Sequence, residues 1–290
     1  YGFRPKRNAH QAIAKIRKES KRNYWVLDVD IQGYFDNINH DKLMKLVEQR
    51  ISDRRVLKLI RKWLQTGIME EGAIKSSILG APQGGVISPL LSNIYLNVMD
   101  SLWEKNFKHL GTLIRYADDF VIMCRTKQQA LESAQLIQAI MRKLDLSLHQ
   151  EKSRLVNIWN DSDGFDFLGF HHRKFPIRRK GGQTFYILNH VPSKKAMKKM
   201  RKKIKEYTEP RYKLFMDIKD LVEGLNRKLQ GFKNYYQLSP MSKRWLNRID
   251  WYVLQRLNLF NNKKRNRRHK HAHLKKTVKE IEGILVKLAN

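Results

Sequence analysis

The stretch LIRYADDFVIM, residues 113–123, constrains this chain more than any other part of its sequence. It places two adjacent carboxylates, Asp118 and Asp119, between apolar residues that favour β-strands. Burial of one unpaired carboxylate is costly, and a like charge beside it raises that cost further. The pair therefore requires either a solvated hairpin tip or a divalent cation at the ends of two strands.

The charge balance of the chain indicates a polyanionic partner. Its 290 residues include 59 Lys and Arg against 27 Asp and Glu, which gives a formal net charge of +32. An excess of this size is typical of a protein that binds nucleic acid. No apolar run approaches the ~20 residues of a membrane-spanning helix, so we expect no membrane partner. Cys124 is the single cysteine, which excludes a disulfide framework and a cysteine-based zinc site.

The N-terminal sequence and the composition predict how the chain is organised. The first residues, YGFRPKRNAH, contain neither an initiator Met nor the apolar region of a secretory signal. We therefore expect a cytoplasmic protein, of which this chain is a fragment or the ordered part. Near residue 190, alternating apolar runs give way to segments rich in Lys and Arg. Domain boundaries are predicted there and after residue 262.

Hydrophobic periodicity predicts a mixed first part and a helical second part. The predicted strands are 24–31, two within 113–124, and one near 153–158, with a hairpin at 67–79 and a loop at 80–85. The predicted helices are 8–22, 39–51, 54–66, 88–106, 127–144, 193–207, 217–237 and 242–261. Ser88 and Pro89 are predicted as the N-cap and first residue of their helix. This order predicts an α+β fold with a mostly antiparallel sheet and helices on one side.

A second pair of acids occurs in the first predicted strand. Alternation in YWVLDVDI, residues 24–31, places Asp28 and Asp30 on one face near the C-terminal end of the strand. The other face carries the apolar residues Trp25, Leu27, Val29 and Ile31. Mg²⁺ takes one or two carboxylates from protein and phosphate oxygens from substrate. Two such ions ~3.5–4 Å apart can activate a primer hydroxyl and stabilise the leaving pyrophosphate. Asp28 or Asp30, with Asp118 and Asp119, supplies carboxylates for this chemistry.

These segments together resemble the reverse transcriptase family, and in particular the bacterial group II intron reverse transcriptases, or maturases. YADD is similar to the family's YxDD motif, and the motifs around it are matched in order over roughly residues 1–175. The matching strings are DVDIQGYFDNINHDKL, GAPQGGVISPLLSNIYLN, LSLHQEKSRLV and FDFLGF. The resemblance implies a right-hand palm with partial fingers over 1–190 and a three-helix thumb over 191–262. The thumb, or X domain, is matched by GFKNYYQL, and a basic extension covers 263–290.

The resemblance also implies roles for individual residues. Asp30, Asp118 and Asp119 correspond to the catalytic metal ligands, with the carbonyl of Ile31 as a further ligand. Asp28 is the rival of Asp30, which is preferred because IQGYFD follows it in the family's pattern.

The remaining implied roles concern the nucleotide and the primer. Phe35 corresponds to a steric gate against ribonucleotides, with core packing as its alternative. Nucleotide-binding positions of the family correspond to Gln83, Gly84 and Lys152. An ordinary exposed basic residue is the alternative for Lys152. Phe167, Leu168 and Gly169 correspond to the primer grip, with a buried strand as the alternative.

The implied activity is RNA-directed DNA synthesis. The enzyme would extend a DNA or RNA primer on an RNA template with dNTPs and two Mg²⁺ ions, for which Mn²⁺ could substitute. It would also bind a structured intron RNA during splicing and retrohoming. Two alternatives stay open: a splicing maturase that needs no polymerisation, and a domesticated reverse transcriptase in CRISPR spacer acquisition or phage defence. The resemblance also implies upstream fingers that hold the triphosphate, which we expect to be absent before Tyr1. Arg4 and Arg7 are basic residues nearby, but no motif assigns them that role.

The basic C-terminal part predicts contacts with a nucleic-acid backbone. Lys and Arg of its three helices would hold a duplex in a salt-sensitive, sequence-tolerant way. Its aromatic residues are predicted to be helix-core residues rather than stacking platforms: Tyr235, Tyr236, Trp245 and Trp251. KKRNRRHKHAHLKK, residues 263–276, predicts a nucleic-acid-binding linker rather than a metal site.

Overall fold

The computed structural model of the chain describes residues 1–65, 69–70, 73–74, 85–149, 151, 153–159, 164–178, 181–266 and 273–289. These residues form two compact units, Tyr1–Phe165 and Asp166–Asn290. Gln83, Gly84 and Lys152 lie outside the described residues, as do most of the predicted loop at 80–85 and the first two histidines of the basic linker.

The first unit contains a four-stranded antiparallel sheet in the order β4-β5-β1-β6. The strands of the unit are β1 (Trp25–Val29), β2 (Met69–Glu70), β3 (Ala73–Ile74), β4 (Gly111–Tyr116), β5 (Asp119–Cys124) and β6 (Arg154–Asn157). Its helices are α1 (Ala9–Glu19), α2 (His40–Glu48), α3 (Arg54–Gln65), α4 (Ser88–Leu102) and α5 (Lys127–Lys143). The predicted α+β class and antiparallel sheet are confirmed.

Both faces of the central strands are buried. Leu27 and Val29 of β1 belong to the main core of the unit, together with Ile122 of β5, as their alternation predicts. Val26 and Val121, on the opposite face, are fully buried as well. The predicted helices on one side of the sheet would therefore cover only one of these two buried faces.

Local side-chain caps fix where several helices begin. Asn8 and Thr126 each form a capping box with the glutamine three residues later, and the Asn39 side chain accepts a hydrogen bond from the Lys42 N–H. These caps satisfy N–H groups that the first helical turn leaves without an intrahelical partner. The starts of α1, α2 and α5 therefore agree with prediction to within a residue.

The start of α4 differs from prediction. Ser88 is its first helical residue rather than its N-cap, and Ile87 occupies the N-cap position with φ −85° and ψ −20°. The chain already turns before Ser88, because the Ser88 N–H donates to the Gly85 carbonyl at 3.2 Å. Beyond Leu102 the helix continues as a π-helical turn over Trp103–Phe107, close to its predicted end.

The second unit combines a three-stranded antiparallel sheet with helices. Its strands are β7 (Phe165–Phe167), β8 (Phe170–Arg178) and β9 (Thr184–Pro192). Its helices are α6 (Lys194–Thr208), α7 (Ile218–Tyr236), α8 (Lys243–Lys264) and α9 (Leu274–Glu280). The three long helices match the predicted ones and bury a shared aliphatic core, whereas β8, β9 and α9 have no counterpart among the predicted elements.

Trp251 does not occupy the helix-core position predicted for it. Tyr236 and Trp245 pack against the core of the second unit, and the Tyr235 ring lies 5.3 Å from that of Phe170. Trp251, by contrast, is 54% exposed. The buried stripe of α8 passes through Leu246, Ile249, Val253 and Leu257. Helical geometry turns position 251 away from that stripe.

Candidate active site

The β4–β5 hairpin brings two of the predicted acids to one edge of the first unit's sheet. Tyr116 pairs with Asp119, so only Ala117 and Asp118 form the turn, and Ala117 adopts the uncommon φ of +56°. Because β1 runs antiparallel to β5, with Val29 opposite Phe120, the end of β1 lies at the same edge as this turn. Asp30, directly after β1, therefore approaches Asp118 although the two are distant in sequence.

Asp30 and Asp118 line one cleft of about 280 Å³. The other lining residues are Ile31, Gln32, Gly33, Tyr34, Phe35, Asp36 and His149. Burial raises the pKa of Asp118, and the negative charge of Asp30 raises that pKa further. Two partly buried carboxylates in one cleft create a negative potential that a cation would stabilise.

The third predicted acid is placed differently. Asp119 is the first residue of β5, is exposed, and is not among the residues that line the cleft. Within the described part of the chain, no cluster of three or more His, Cys, Asp and Glu side chains is arranged to hold a metal ion. The cleft nevertheless offers carboxylate and backbone carbonyl oxygens, the donors that Mg²⁺ prefers. The residues present therefore fit a hard divalent cation.

Asp28, the rival of Asp30, faces another group. Its Oδ2 atom lies 3.4 Å from the Nε atom of Arg154, a half-exposed residue on β6. Asp28 pairs with Val121 within the sheet and does not line the cleft. The geometry thus brings Asp30, rather than Asp28, together with Asp118.

A buried arginine beneath the turn is a residue that sequence reasoning did not find. The Arg115 side chain is 4% exposed, and its guanidinium binds both carboxylate oxygens of Asp100, at 2.8 and 2.5 Å. It also donates to the Ala117 carbonyl at 2.7 Å and to Asn93 Oδ1 at 3.0 Å. Arg115 therefore ties the backbone of the YADD turn to α4. A charged residue in the middle of an apolar strand was the available signal.

Tyr34 and Phe35 are adjacent in sequence but differ in burial and contacts. Tyr34 is buried, and its hydroxyl donates to the Ser92 carbonyl at 2.8 Å. Burial raises the pKa of the Tyr34 hydroxyl well above its usual range. Phe35 is only half-buried, lies 5.3 Å from the Tyr34 ring, and lines the cleft. Tyr34 thus fills the core, whereas the Phe35 ring both packs against that core and lines the cleft.

The predicted primer-grip residues form a tight turn in the second unit. Phe167 ends β7 and is buried, whereas Leu168 and Gly169 connect β7 to β8 with φ of +50° and +78°. The Tyr235 hydroxyl donates to the Leu168 carbonyl at 3.0 Å. A Cβ atom at Gly169 would lie 2.6 Å from the Tyr236 hydroxyl oxygen. Two tyrosines of α7 therefore hold the turn in place. Of the three residues, only Phe167 lies in a buried strand, the alternative to a primer grip.

A basic groove of about 660 Å³ lies between α6 and α7 in the second unit. Its cationic lining residues are Lys199, Lys203, Lys213, Arg227 and Lys228. The Lys213 ammonium lies 3.4 Å from the centre of the Tyr207 ring, and burial followed by the charge of Lys228 lowers its pKa. This concentration of positive charge suits a phosphate backbone.

No helix among the residues that the structure describes is long and apolar enough to cross a membrane.

Two models of known families match the chain. Residues 1–172 match the model of the family described as reverse transcriptase (RNA-dependent DNA polymerase). Residues 197–278 match the model of the group II intron, maturase-specific domain. The first match covers more than half of the chain, so the chain belongs to the reverse transcriptase family, as its motifs indicate.

The chain is also similar to individual curated proteins and to solved structures. Protein YkfC of Escherichia coli is 32% identical over 68% of this chain and 60% of its own length. The group II intron-encoded protein LtrA of Lactococcus lactis is 28% identical over 62% of this chain and 40% of its own length. The chain thus spans less than two thirds of the curated relatives that it matches. A solved telomerase from Candida albicans aligns with 94% of this chain and 50% of its own, at 13% identity and a TM-score of 0.47.

Proposed function

We propose that this chain is the catalytic part of a group II intron-type reverse transcriptase, an RNA-directed DNA polymerase that extends a primer on an RNA template with dNTPs. The observation that carries the proposal is the cleft shared by Asp30 and Asp118 at the YADD hairpin. Family membership supports it, since the hairpin lies within the matched residues. The net charge of +32 suits a polyanionic template and primer.

The acids at this edge of the sheet would hold the divalent metal that the family requires. In this proposal Asp30, Asp118 and Asp119, with the Ile31 carbonyl, bind two Mg²⁺ ions, which Mn²⁺ can replace. When bound, such ions polarise phosphate oxygens and lower the pKa of the attacking hydroxyl. The chain itself supplies the negative potential, the Arg115 support beneath the turn, and the Phe35 ring beside the nucleotide.

Other residues would complete the polymerase site. Phe35 would exclude ribonucleotides by contact with their additional hydroxyl, and Gln83, Gly84 and Lys152 would contact the incoming nucleotide. The turn at Phe167, Leu168 and Gly169 would support the primer end as the primer grip. Its positive φ angles and its contacts with two tyrosines support this role, because a rigid turn can present its backbone in one position.

We propose that the two parts of the chain divide catalysis and nucleic-acid binding. Residues 1–190 would form the partial fingers and palm, 191–262 the thumb, and 263–290 a basic extension. The groove between α6 and α7 would contact the duplex backbone through its Lys and Arg side chains.

A splicing maturase without required polymerisation is the second candidate. The match of residues 197–278 to the maturase-specific domain favours it, as does the similarity to the intron-encoded LtrA. In this case the basic surface would bind a structured intron RNA. Both functions can reside in one chain.

Primer extension separates the two candidates. A DNA primer on an RNA template is extended with dNTPs and Mg²⁺ by the chain and by its Asp118→Ala, Asp30→Ala and Asp28→Ala variants. We expect the first two substitutions to reduce the rate about 1,000-fold or more, because metal-assisted charge stabilisation contributes several kcal/mol. Asp28→Ala is the matched control, since Asp28 lies on β1, two residues before Asp30, but outside the cleft.

Each other result has a clear meaning. If Asp28→Ala abolishes extension and Asp30→Ala does not, the first metal ligand is Asp28. If the unaltered chain binds RNA tightly but extends no primer, and Asp118→Ala leaves RNA binding unchanged, the maturase function is favoured over the polymerase.

A further inference from the structure

We propose that a groove around Trp251 in the second unit binds an unpaired nucleotide of RNA, with its base stacked on the exposed indole. The inference rests on the RNA binding in the proposed function but not on polymerisation. It adds a site for a single unpaired base to a unit whose other groove is lined by five cationic side chains that suit a phosphate backbone.

The groove has a volume of about 510 Å³ and lies between α6 and α8. It is lined by Arg201, Asn247, Arg248, Trp251, Tyr252 and Gln255. On α8, positions 247, 251 and 255 recur at four-residue intervals and so form one stripe along the helix. This stripe is separate from the buried one, which leaves the Trp251 ring 54% exposed beside polar neighbours.

The side chains of the groove match the parts of a nucleotide. The Trp251 indole offers an apolar face for a base, and stacking of this kind tolerates any base. Arg201 and Arg248 can hold phosphate oxygens on either side. Asn247 and Gln255 carry amides that both donate and accept hydrogen bonds, as the edge of a base requires. Together these side chains provide contacts for the face of a base, for its edge and for the phosphates within one groove.

The charge of the groove favours RNA over a protein partner. None of the described residues that line it is acidic. The one acid in the α8 sequence, Asp250, accepts hydrogen bonds from the N–H groups of Leu288 and Ala289 at 2.9 and 3.0 Å. Two arginines therefore surround the indole with no carboxylate among the lining side chains. A protein interface would instead need a broader apolar patch around the tryptophan.

The site differs from the basic groove between α6 and α7. Lys199 and Lys203 of that groove lie one helical turn apart on α6, whereas Arg201 lies between them in sequence and thus on the opposite face. The lysine-lined groove suits the continuous backbone of a duplex. Bases inside a duplex are already stacked on each other, so the indole can take only an unpaired one.

Binding of a fluorescein-labelled oligouridylate, followed by fluorescence anisotropy over a salt series, tests the proposal on the full chain. We expect Trp251→Ala to weaken binding by about 10-fold, the effect of losing one stacked base. Trp251→Phe should retain most of the affinity, because phenylalanine also stacks. The matched control is Trp63→Ala on α3, which removes a tryptophan of similar exposure, 42%, and should change the affinity less than two-fold, by about a third of a decade at most.

The salt dependence distinguishes stacking from a general loss of charge. Trp251→Ala removes no charge, so its plot of log Kd against log salt should run parallel to that of the unaltered chain. Arg248→Gln should reduce the slope by about 0.7. Circular dichroism melting of each variant establishes that the fold is intact, as the exposure of Trp251 leads us to expect.

Other outcomes overturn the inference. If Trp251→Ala leaves the oligouridylate affinity unchanged, no base stacks there. If it instead alters the oligomeric state in light scattering, the groove contacts a second copy of the chain. Failure of primer extension in the unaltered chain, with Trp251-dependent RNA binding preserved, would remove the polymerase proposal and leave this one standing.

Discussion

Two tight turns, one in each unit, each contain a residue with positive φ, but different side chains hold the two turns in place. Ala117 in the β4–β5 turn and Leu168 in the β7–β8 turn both have positive φ, +56° and +50°. The first turn is held from below by Arg115, a buried cation paired with Asp100. The second is held by the neutral hydroxyl of Tyr235 and the packed ring of Tyr236.

The difference follows from what each turn presents. Burial and the charge of Asp30 raise the pKa of Asp118, and the Arg115 charge opposes that rise. The Leu168–Gly169 turn presents only backbone, for which a tyrosine hydroxyl satisfies the carbonyl without adding charge. A cation beneath one turn and a hydroxyl beneath the other therefore reflect the charge of the turn itself.

The largest expected effect comes from removal of the buried cation. Arg115→Met should lower the free energy of opening of the β4–β5 hairpin by about 3–5 kcal/mol, because it leaves part of a buried ion pair uncompensated. Hydrogen exchange of the β4 and β5 amides measures this free energy locally. Arg4→Met is the matched control, since Arg4 also binds Asp100, at 2.6 Å, but is 42% exposed.

We expect Arg4→Met to cost no more than about 1 kcal/mol, as exposed ion pairs do. Equal losses in the two variants would show that burial of Arg115 is not what stabilises the turn.

The second prediction concerns the neutral turn. Gly169→Ala should destabilise the β7–β8 hairpin by about 2–4 kcal/mol, because a positive φ strains alanine and the new Cβ would meet the Tyr236 hydroxyl. Gly182→Ala is the control, since Gly182 has φ +82° but nothing within 4 Å of an added Cβ. We expect it to cost only about 1 kcal/mol, through backbone strain.

Removal of the hydroxyl tests the contact directly. Tyr236→Phe combined with Gly169→Ala should recover the overpacking part of the loss, about 1–2 kcal/mol, in hydrogen exchange of the β8 and β9 amides. No recovery would mean that backbone strain alone accounts for the effect.

The smallest predicted effect is a pH dependence of stability that is present in the β8–β9 hairpin and absent from the β4–β5 hairpin. Burial lowers the pKa of His172 on β8 from 6.5 to about 3, and the nearby His190 and His171 contribute. Between these values the unfolded chain binds a proton that the folded chain does not, so stability falls as the pH falls below 6.5. At about pH 5 we expect the β8 and β9 amides to lose about 2 kcal/mol of protection free energy.

Two comparisons check that His172 causes this loss of protection at low pH. His172→Gln should flatten the pH dependence of the β8 and β9 amides. The β4 and β5 strands contain no histidine, so their amides should not show the same loss. A parallel loss in both hairpins would assign the acid sensitivity to global unfolding.

Much of the local structure followed from the sequence. The starts of α1, α2 and α5 depend on Asn8, Asn39 and Thr126, whose side chains accept hydrogen bonds from the N–H groups three residues later. Alternation in β1 correctly placed Leu27 and Val29 in the core. At α4 the start agrees to within one residue, but the predicted N-cap, Ser88, is instead the first helical residue.

The sequence by itself determined the motifs, the family and the strands that carry the acids, because these depend on residue type and short spacing. Only the tertiary structure decided that Asp30 rather than Asp28 shares a cleft with Asp118, that Arg115 supports the turn, and that Trp251 is exposed. These outcomes depend on which strands pair and which helix faces are covered. Such long-range packing has no signature in the spacing of neighbouring residues.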